Sequence, residues 1–116
     1  MSEIQKNTKG NLTKKGLETR KKLLSAAETV FGKKGYYEAS IVNITQEANV
    51  ANGTYYNYFA TKKDIFDELI REYSRDLRLS IKKAMETADT HVDAQRKGFE
   101  AFFVWVKNRP DLPVSP

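Results

Sequence analysis

The spacing of apolar residues along the chain predicts helices and no convincing strand. A first helix is expected over residues 17–34, where apolar side chains recur every three or four positions. Gly35 then supplies the left-handed stop that commonly ends a helix. Two short helices come next, over residues 40–48 and about 52–58, and Asn49 is the turn residue expected between them.

Two longer helices complete the pattern. The segments Thr61-Lys62-Lys63-Asp64 and Thr90-His91-Val92-Asp93 both resemble a capping box, in which a hydroxyl and an acid three residues later hold the first amides of a helix. The helix after the first box continues to about Thr87, and the helix after the second ends at Asn108-Arg109-Pro110. The fifth helix is expected to bury Phe99, Phe102, Phe103 and Val106.

Composition limits the class of protein. The chain has 116 residues, which is one domain or one domain with part of another. A charged fraction of 30%, with no apolar run near the roughly 20 residues of a membrane span, argues against a membrane protein. The N-terminus is too polar for a secretory signal, and there is no cysteine for disulfides or thiolate metal sites. We therefore expect a cytoplasmic chain.

Positive charge is concentrated at the start of the chain. Residues 1–40 hold nine Lys or Arg against four acids, whereas residues 41–61 hold a single charged residue, Glu47. Residues 62–116 are close to balance, with eleven basic and ten acidic side chains. A cationic segment ahead of an uncharged, aromatic one suits a phosphate backbone, because each neutralised phosphate releases counterions. A Lys-rich tail that only improves solubility is the alternative.

Residues 40–58 therefore form two short helices joined by a turn, with a longer helix on each side, which is the arrangement of a helix-turn-helix. In that motif the first short helix crosses the backbone of a duplex and positions the second, whose side chains reach base edges. Asn52, Thr54, Tyr55 and Asn57 would supply the polar and aromatic face, and Gly53 would let the backbone come close. Pattern alone is a weak warrant, since many helical domains contain such a pair.

A family resemblance strengthens this interpretation. Residues 17–77 resemble, without a gap, the DNA-binding domain of the TetR family of transcriptional regulators, and the most specific part of the match is Tyr-x-Tyr-Phe-x-x-Lys-x-x-Ile over residues 56–65. Further matching positions are Arg20, Leu23, Ala27, Phe31, Gly35, Tyr36, Ser40, Ile44, Ala48, Val50, Gly53 and Thr54. The resemblance implies an all-α fold with a three-helix DNA-binding domain, a long fourth helix and a fifth helix that begins a C-terminal helical domain.

The resemblance also implies roles for individual residues. Tyr56 and Tyr58 would donate hydroxyls to phosphates, and Lys62 would hold another phosphate. Ser40 would cap the second helix and is a further phosphate candidate. The candidates for reading bases are Thr54 and Tyr55, whereas Asn52 and Asn57 are candidates for bases or phosphates and Gly53 for close backbone approach. One of the tyrosines is open to a structural role instead, and Phe59 is expected in the core.

The sequence departs from the family pattern at three positions. Asn49 stands where the family usually has glycine, but asparagine tolerates the left-handed conformation, so the turn should survive. Ala51 stands where Ser or Thr usually caps the recognition helix, which leaves Asn52 as an alternative cap and would remove it from base reading. Thr45 replaces a small alanine, which is a mild change.

The resemblance divides the chain into three expected parts: a flexible basic arm at 1–16, the DNA-binding domain at 17–77 with its helix-turn-helix at 40–59, and an apparently truncated ligand-binding and dimerisation domain at 78–116. The fifth helix is apolar on most sides, and we expect such a helix to be buried. Either the chain is a fragment of a longer regulator, which we favour, or these residues form an oligomer contact. Packing in the interior is the expected role of Trp105, ahead of a ligand pocket.

Enzyme function is not expected. His91 is the only histidine and lies at a predicted helix start, where solvation is the simplest role, and no phosphate loop, metal-spaced cluster or nucleophile constellation occurs. The sequence implies no cofactor. The competing hypothesis is a helical module whose aromatic surface binds another protein.

The function implied by the resemblance is a transcriptional regulator that binds double-stranded operator DNA as a homodimer. Two recognition helices would enter successive major grooves of a palindromic operator about 34–36 Å apart. Repression by promoter occlusion, relieved by a small-molecule inducer bound in the C-terminal domain, is the expected mechanism of the intact protein. The basic arm would add nonspecific phosphate contacts.

Overall fold

The computed structural model describes residues 13–109. This part of the chain is helical and contains no strand, which confirms the all-α prediction. The helices are α1 (Lys14–Glu38), α2 (Ile41–Ala48), α3 (Asn52–Tyr55), α4 (Lys62–Glu86) and α5 (His91–Lys107). None of them is long and apolar enough to cross a bilayer.

The first helix begins earlier than predicted. Thr13 caps α1 by accepting a hydrogen bond from the amide of Gly16, at 3.0 Å, so the helix starts at Lys14 and not at Leu17. The predicted basic arm of residues 1–16 lies outside the described residues except for this first turn. The prediction failed at this boundary because a cap needs only a single hydroxyl, and the apolar stripe that marked the helix starts further on.

The end of α1 is kinked at Gly35, where φ is +80° and ψ is 165°. The glycine interrupts the helix with a positive φ that side chains with a Cβ rarely adopt, but it does not stop the helix as predicted, because helical residues continue to Glu38. A Cβ built at Gly35 would meet no heavy atom within 4 Å. The requirement for glycine is therefore conformational and not a matter of space.

Gly35→Ala should accordingly lower the free energy of unfolding by about 1–3 kcal/mol, the usual range for a residue forced into a strained backbone region. Urea denaturation of the variant and the parent measures this difference. An unchanged midpoint would show that the chain relaxes around the kink at no cost.

The chain divides into two compact units, and the boundary between them falls within α4, between Leu69 and Ile70. In the first unit, α1 packs against α2 and α2 against α3, and an aromatic contact joins Phe31 of α1 to Phe66 of α4 edge-on at 5.2 Å. The buried apolar residues of this unit are Leu23, Leu24, Ala26, Ala27, Val30, Phe31, Ala39, Ile44, Ala48, Tyr55, Phe59, Ile65 and Leu69.

Both capped starts were predicted correctly. At α4, the amide of Asp64 donates to the Thr61 hydroxyl at 3.1 Å, and the amide of Thr61 donates back to the Asp64 carboxylate at 3.2 Å. At α5, the amide of Asp93 donates to the Thr90 hydroxyl at 3.0 Å. These boundaries could be predicted because capping boxes are local, so the sequence holds every group that forms them.

The second unit buries a different face of α5 from the one predicted. Gly98 and Trp105 are buried, and a Cβ at Gly98 would lie 3.3 Å from the sulfur of Met85, so the missing side chain lets α4 and α5 approach closely. The predicted inward-facing residues are exposed instead: Phe99 by 67%, Phe102 by 38%, Phe103 by 64% and Val106 by 38%. That prediction was wrong because a helix that is apolar on most sides does not reveal which side packs.

Trp105 is the packing residue that the sequence suggested. Its indole N–H donates to Asp76 at 2.8 Å, and its ring meets Tyr73 edge-on at 6.0 Å. The Arg109 guanidinium lies 4.0 Å above the same ring. The single tryptophan is thus held from both sides within this unit.

Candidate nucleic-acid interface

The candidate site begins at the N-terminus of α2. Ser40 accepts a hydrogen bond from the amide of Asn43 at 3.0 Å, and the Asn43 side chain accepts one from the amide of Ser40 at 3.1 Å. The predicted cap at Ser40 is therefore confirmed and is reciprocal. Asn43 was missed as the partner because Glu or Gln is the usual residue at that position of a capping box.

The turn after α2 is made by Asn49, which adopts the left-handed conformation at φ 60° and ψ 47°. The amide of the next residue, Val50, donates to the carbonyl of Thr45 at 3.0 Å and closes the turn. The prediction that asparagine would replace the usual glycine here is confirmed.

The recognition segment is shorter than predicted. Only Asn52–Tyr55 is α-helical, and the following residues form a tight turn in which the amides of Tyr56, Asn57 and Tyr58 donate to carbonyls three positions earlier. Ala51 occupies the cap position without a side-chain hydrogen bond. The alternative that Asn52 caps α3 was wrong, because its side-chain oxygen lies 3.4 Å from the Thr45 hydroxyl and accepts from it instead.

Tyr55 does not lie on the surface, so its predicted role as a base reader was wrong. The residue has no exposed area, its ring packs against Phe59, and its hydroxyl donates to the carbonyl of Thr61 at 2.5 Å. Burial raises the pKa of the Tyr55 hydroxyl well above its usual value, and the charges of the nearby Asp64, Tyr56 and Tyr36 add smaller effects in the same direction. Tyr55 is a core residue that anchors the recognition segment to the start of α4, and Phe59 is buried as predicted.

The residues around Tyr55 are open to solvent to different degrees. Tyr56 is 54% exposed, and its ring rests edge-on against Tyr55 at 5.3 Å between centroids. Tyr58 is half-buried, and neither of these two hydroxyls has a hydrogen-bond partner among residues 13–109. The other predicted site residues of this segment are Asn52, Gly53 and Asn57, which are exposed, and Thr54, which is half-buried. We call Asn52, Gly53, Thr54, Tyr56, Asn57 and Tyr58 the recognition face.

Lys62, which the resemblance implied as a phosphate ligand, makes its contacts within the protein. Its ammonium donates to the backbone carbonyls of Tyr36 at 2.7 Å and Ala39 at 3.0 Å, with a longer contact of 3.4 Å to that of Tyr37. An ammonium has three N–H donors, so all of them have partners within the protein. These contacts compete with the predicted phosphate role of Lys62, and they could not be predicted because no local signal in the sequence marks a contact across so many positions.

A second long-range contact braces the same unit. Arg20 of α1 pairs with Glu68 of α4 at 3.1 Å, and its guanidinium lies 5.5 Å from the centre of the Phe59 ring. The pair joins α1 to α4 close to Phe59, the residue that follows Tyr58. Sequence reasoning gave Arg20 no structural role, because nothing in the spacing connects it to Glu68.

The described residues contain no candidate metal site. Between residues 13 and 109 there is no group of three or more His, Asp and Glu side chains that could hold a metal ion. His91 is exposed at the first position of α5, as expected. The first unit thus presents the turn at Asn49, followed by the recognition face, which is uncharged and carries hydroxyls and amides.

These features define a class: a helix-turn-helix protein with two short helices braced by longer ones. Comparison with known proteins identifies the family of this domain. Residues 23–69 match the model for bacterial regulatory proteins of the tetR family, so this segment is a domain of that type.

Individual relatives agree with the family match. An uncharacterized HTH-type transcriptional regulator of Bacillus subtilis (strain 168), YdgC, is 32% identical over 84% of this chain and 52% of its own length. The HTH-type transcriptional repressor DhaR of Mycobacterium sp. (strain GP1) is 30% identical over 60% of this chain and 35% of its own length. The chain thus spans about half the length, or less, of these curated relatives.

A solved structure shares the fold. A protein of Shewanella sp. PV-4 assigned to the tetR family of transcription regulators superposes with a TM-score of 0.70, covering 80% of this chain and 50% of the other. Since the two sequences are only 21% identical, this likeness concerns the fold alone.

Proposed function

We propose that this chain binds double-stranded DNA sequence-specifically and regulates transcription, with the recognition face entering the major groove. The observation that carries the proposal is the contrast between two neighbouring tyrosines: Tyr55 is fully buried and holds the segment in place, whereas Tyr56 is 54% exposed and has a free hydroxyl. A segment anchored on one side and open on the other is what a recognition helix requires.

The recognition face combines two kinds of contact. The hydroxyls of Tyr56 and Tyr58, with Ser40 at the start of α2, would donate to phosphates and fix the register of the protein on the duplex. Thr54, Asn52 and Asn57 would meet base edges, where amides pair with adenine and a methyl group packs on the thymine methyl. Tyr55 and Lys62 support this face from within and do not contact DNA.

The mechanism proposed for the intact protein is that of a dimeric, ligand-responsive repressor. Residues 17–77 would form the DNA-binding domain, and residues 78–116 would begin the domain that dimerises and binds a small-molecule inducer. Two copies would place their recognition faces one helical turn apart, about 34–36 Å, on a palindromic operator. A ligand that changed this spacing would release the DNA.

Selection of bound duplexes from a random pool tests the proposal. The expected result is an enriched inverted repeat with half-sites about one helical turn apart. Affinity for the recovered duplex should fall linearly with salt on logarithmic axes, since phosphate contacts release counterions. Failure to enrich any duplex at low salt would overturn the assignment, and enrichment of a single half-site would overturn only the dimer.

Gly53→Ala separates folding from recognition. A Cβ at Gly53 would meet no heavy atom within 4 Å, and alanine is favoured over glycine inside a helix by roughly 0.5–1 kcal/mol. The thermal midpoint should therefore stay the same or rise. Affinity for the selected duplex should nonetheless fall by on the order of tenfold, about 1.4 kcal/mol, because the added methyl group holds the backbone away from the groove.

Fluorescence anisotropy with a labelled duplex measures this loss, and Gly98→Ala is the matched control. The control adds the same methyl group on α5, 3.3 Å from the sulfur of Met85 and outside the first unit, so any cost should fall on stability and the affinity of the folded protein should stay unchanged. Parental affinity in Gly53→Ala would show that the backbone at Gly53 does not approach the DNA.

A further inference from the structure

The last turn of α1 is held by a side chain from a distant part of the chain. We call residues 36–39, which are the end of α1 after the kink at Gly35 and the residue that follows it, the 36–39 turn, and Lys62 at the first position of α4 reaches it with its ammonium. The contact joins the start of α4 to the end of α1 and to Ala39, the residue directly before the α2 cap. Any displacement of the turn would carry Ser40, the cap of α2, with it.

We infer that Lys62 is a positioning residue for DNA recognition: by holding the 36–39 turn it fixes the orientation of α2 relative to the recognition face. The inference rests on the proposed function, but it assigns to this lysine a role other than that of a phosphate ligand.

The geometry of the ammonium supports this role. Its distances of 2.7, 3.0 and 3.4 Å to three carbonyl oxygens, together with 4.4 Å to the centre of the Tyr36 ring, surround the cation with protein acceptors. The carbonyls at the end of a helix lack intrahelical partners and carry partial negative charge, which favours a cation there. A phosphate would have to replace these acceptors in order to bind the same ammonium.

The backbone explains why the turn needs an external support. Gly35 interrupts α1 at φ +80°, so the helical hydrogen-bond ladder is broken just before the turn. Only residues 39 and 40 separate α1 from α2, and Ser40 already uses its hydroxyl and its amide in the capping box with Asn43. Lys62 therefore supplies donors to the carbonyls of this turn where the helix itself no longer does.

The experiment compares two substitutions at Lys62 with one at its neighbour. Lys62→Met keeps the length of the side chain and removes the donors, whereas Lys62→Arg keeps the charge but replaces the compact ammonium by a planar fork. Lys63→Met is the matched control, because Lys63 is a neighbouring lysine whose side chain is 72% exposed and pairs only with Asp67, at 2.8 Å. The whole 116-residue chain is used in each case.

The DNA readout uses a labelled duplex recovered from the random pool and an unrelated duplex of equal length, with circular dichroism confirming that each variant is folded at the assay temperature. In both Lys62 variants the ratio of specific to nonspecific affinity should fall at least about tenfold, while the salt slope changes by less than about half of one phosphate contact. Lys63→Met should keep the parental ratio. A residue that merely stabilised the fold would not change the ratio in folded protein.

Two results would overturn the inference. A salt slope lowered by about one in Lys62→Met, with Lys62→Arg binding like the parent, would make Lys62 a phosphate ligand after all. A parental affinity ratio in both variants would show that the turn does not depend on Lys62. Should Lys62→Met fail to fold, Lys62→Arg still decides between these roles, since only the positioning role is sensitive to the shape of the cation.

A measurement without DNA keeps this inference separate from the proposed function. Amide hydrogen exchange in the free protein should accelerate at Ala39 and at Asn43 in the Lys62 variants and not in Lys63→Met. If no duplex were ever enriched but exchange changed as expected, the proposed function would fail while the support of the turn by Lys62 would stand. Unchanged exchange at both amides would count against the support itself.

Discussion

Replacing Tyr55 by alanine is expected to lower the free energy of unfolding by about 3–5 kcal/mol, the range for truncating a large buried aromatic side chain. Tyr55 is fully buried, packs on Phe59 and bonds the carbonyl of Thr61, so the variant loses apolar burial and leaves that carbonyl without its partner. The free energy of unfolding of a small domain is only about 5–15 kcal/mol in total, so the substitution removes a large share of it. Urea denaturation followed by circular dichroism measures the loss.

The neighbouring residue provides the control. Tyr56→Ala makes the same chemical change at a site that is 54% exposed, and its effect on the free energy of unfolding should stay below about 1 kcal/mol. The milder Tyr55→Phe removes only the buried hydroxyl and should cost about 1–2 kcal/mol. Equal losses in Tyr55→Ala and Tyr56→Ala would contradict the division of the segment into a buried and an open side.

The second large effect is expected on DNA binding. Replacing both Tyr56 and Tyr58 by phenylalanine should weaken binding to all duplexes by on the order of 100-fold, since each hydroxyl donated to a phosphate contributes about 1.5 kcal/mol or more. Sequence preference should be retained, because phosphate contacts position the protein and do not read bases. The salt slope should also be retained, since the lost donors are uncharged.

Anisotropy titrations of the double variant against specific and unrelated duplexes test this prediction, with Tyr55→Phe as the comparison. Tyr55→Phe loses a hydroxyl from the same segment but on its buried side, so its folded form should bind like the parent. Parental affinity in the Tyr56 and Tyr58 double variant would remove the tyrosines from the interface. A selective loss of the specific duplex would make them base readers instead.

Local chemistry explains which features could be predicted from the sequence. The caps at Ser40, Thr61 and Thr90, the glycine break at Gly35 and the left-handed Asn49 all depend on groups within a few residues of one another. The sequence therefore contains the complete interaction in each case. The order and number of helices over residues 13–109 follow from these caps and breaks.

Features that depend on distant contacts could not be predicted in the same way. The helical spacing of Tyr55, Tyr56 and Tyr58 leaves open which ring is buried, and the answer depends on a hydrogen bond to Thr61 across the turn. The partners of the Lys62 ammonium are carbonyls of the 36–39 turn, which only the folded chain brings close to it. On α5, small residues such as Gly98 decide which side packs, and the phenylalanines stay exposed.

The most direct test is a map of backbone amide shifts in the isotope-labelled chain as the selected duplex is added. The account predicts that the largest changes fall on Ser40 and the amides after it, and on residues 52–58. Residues of α5, including Phe99 and Phe103, should change little. Shifts concentrated on those exposed phenylalanines, with the recognition face unaffected, would contradict the account and favour a module that binds its partners through α5.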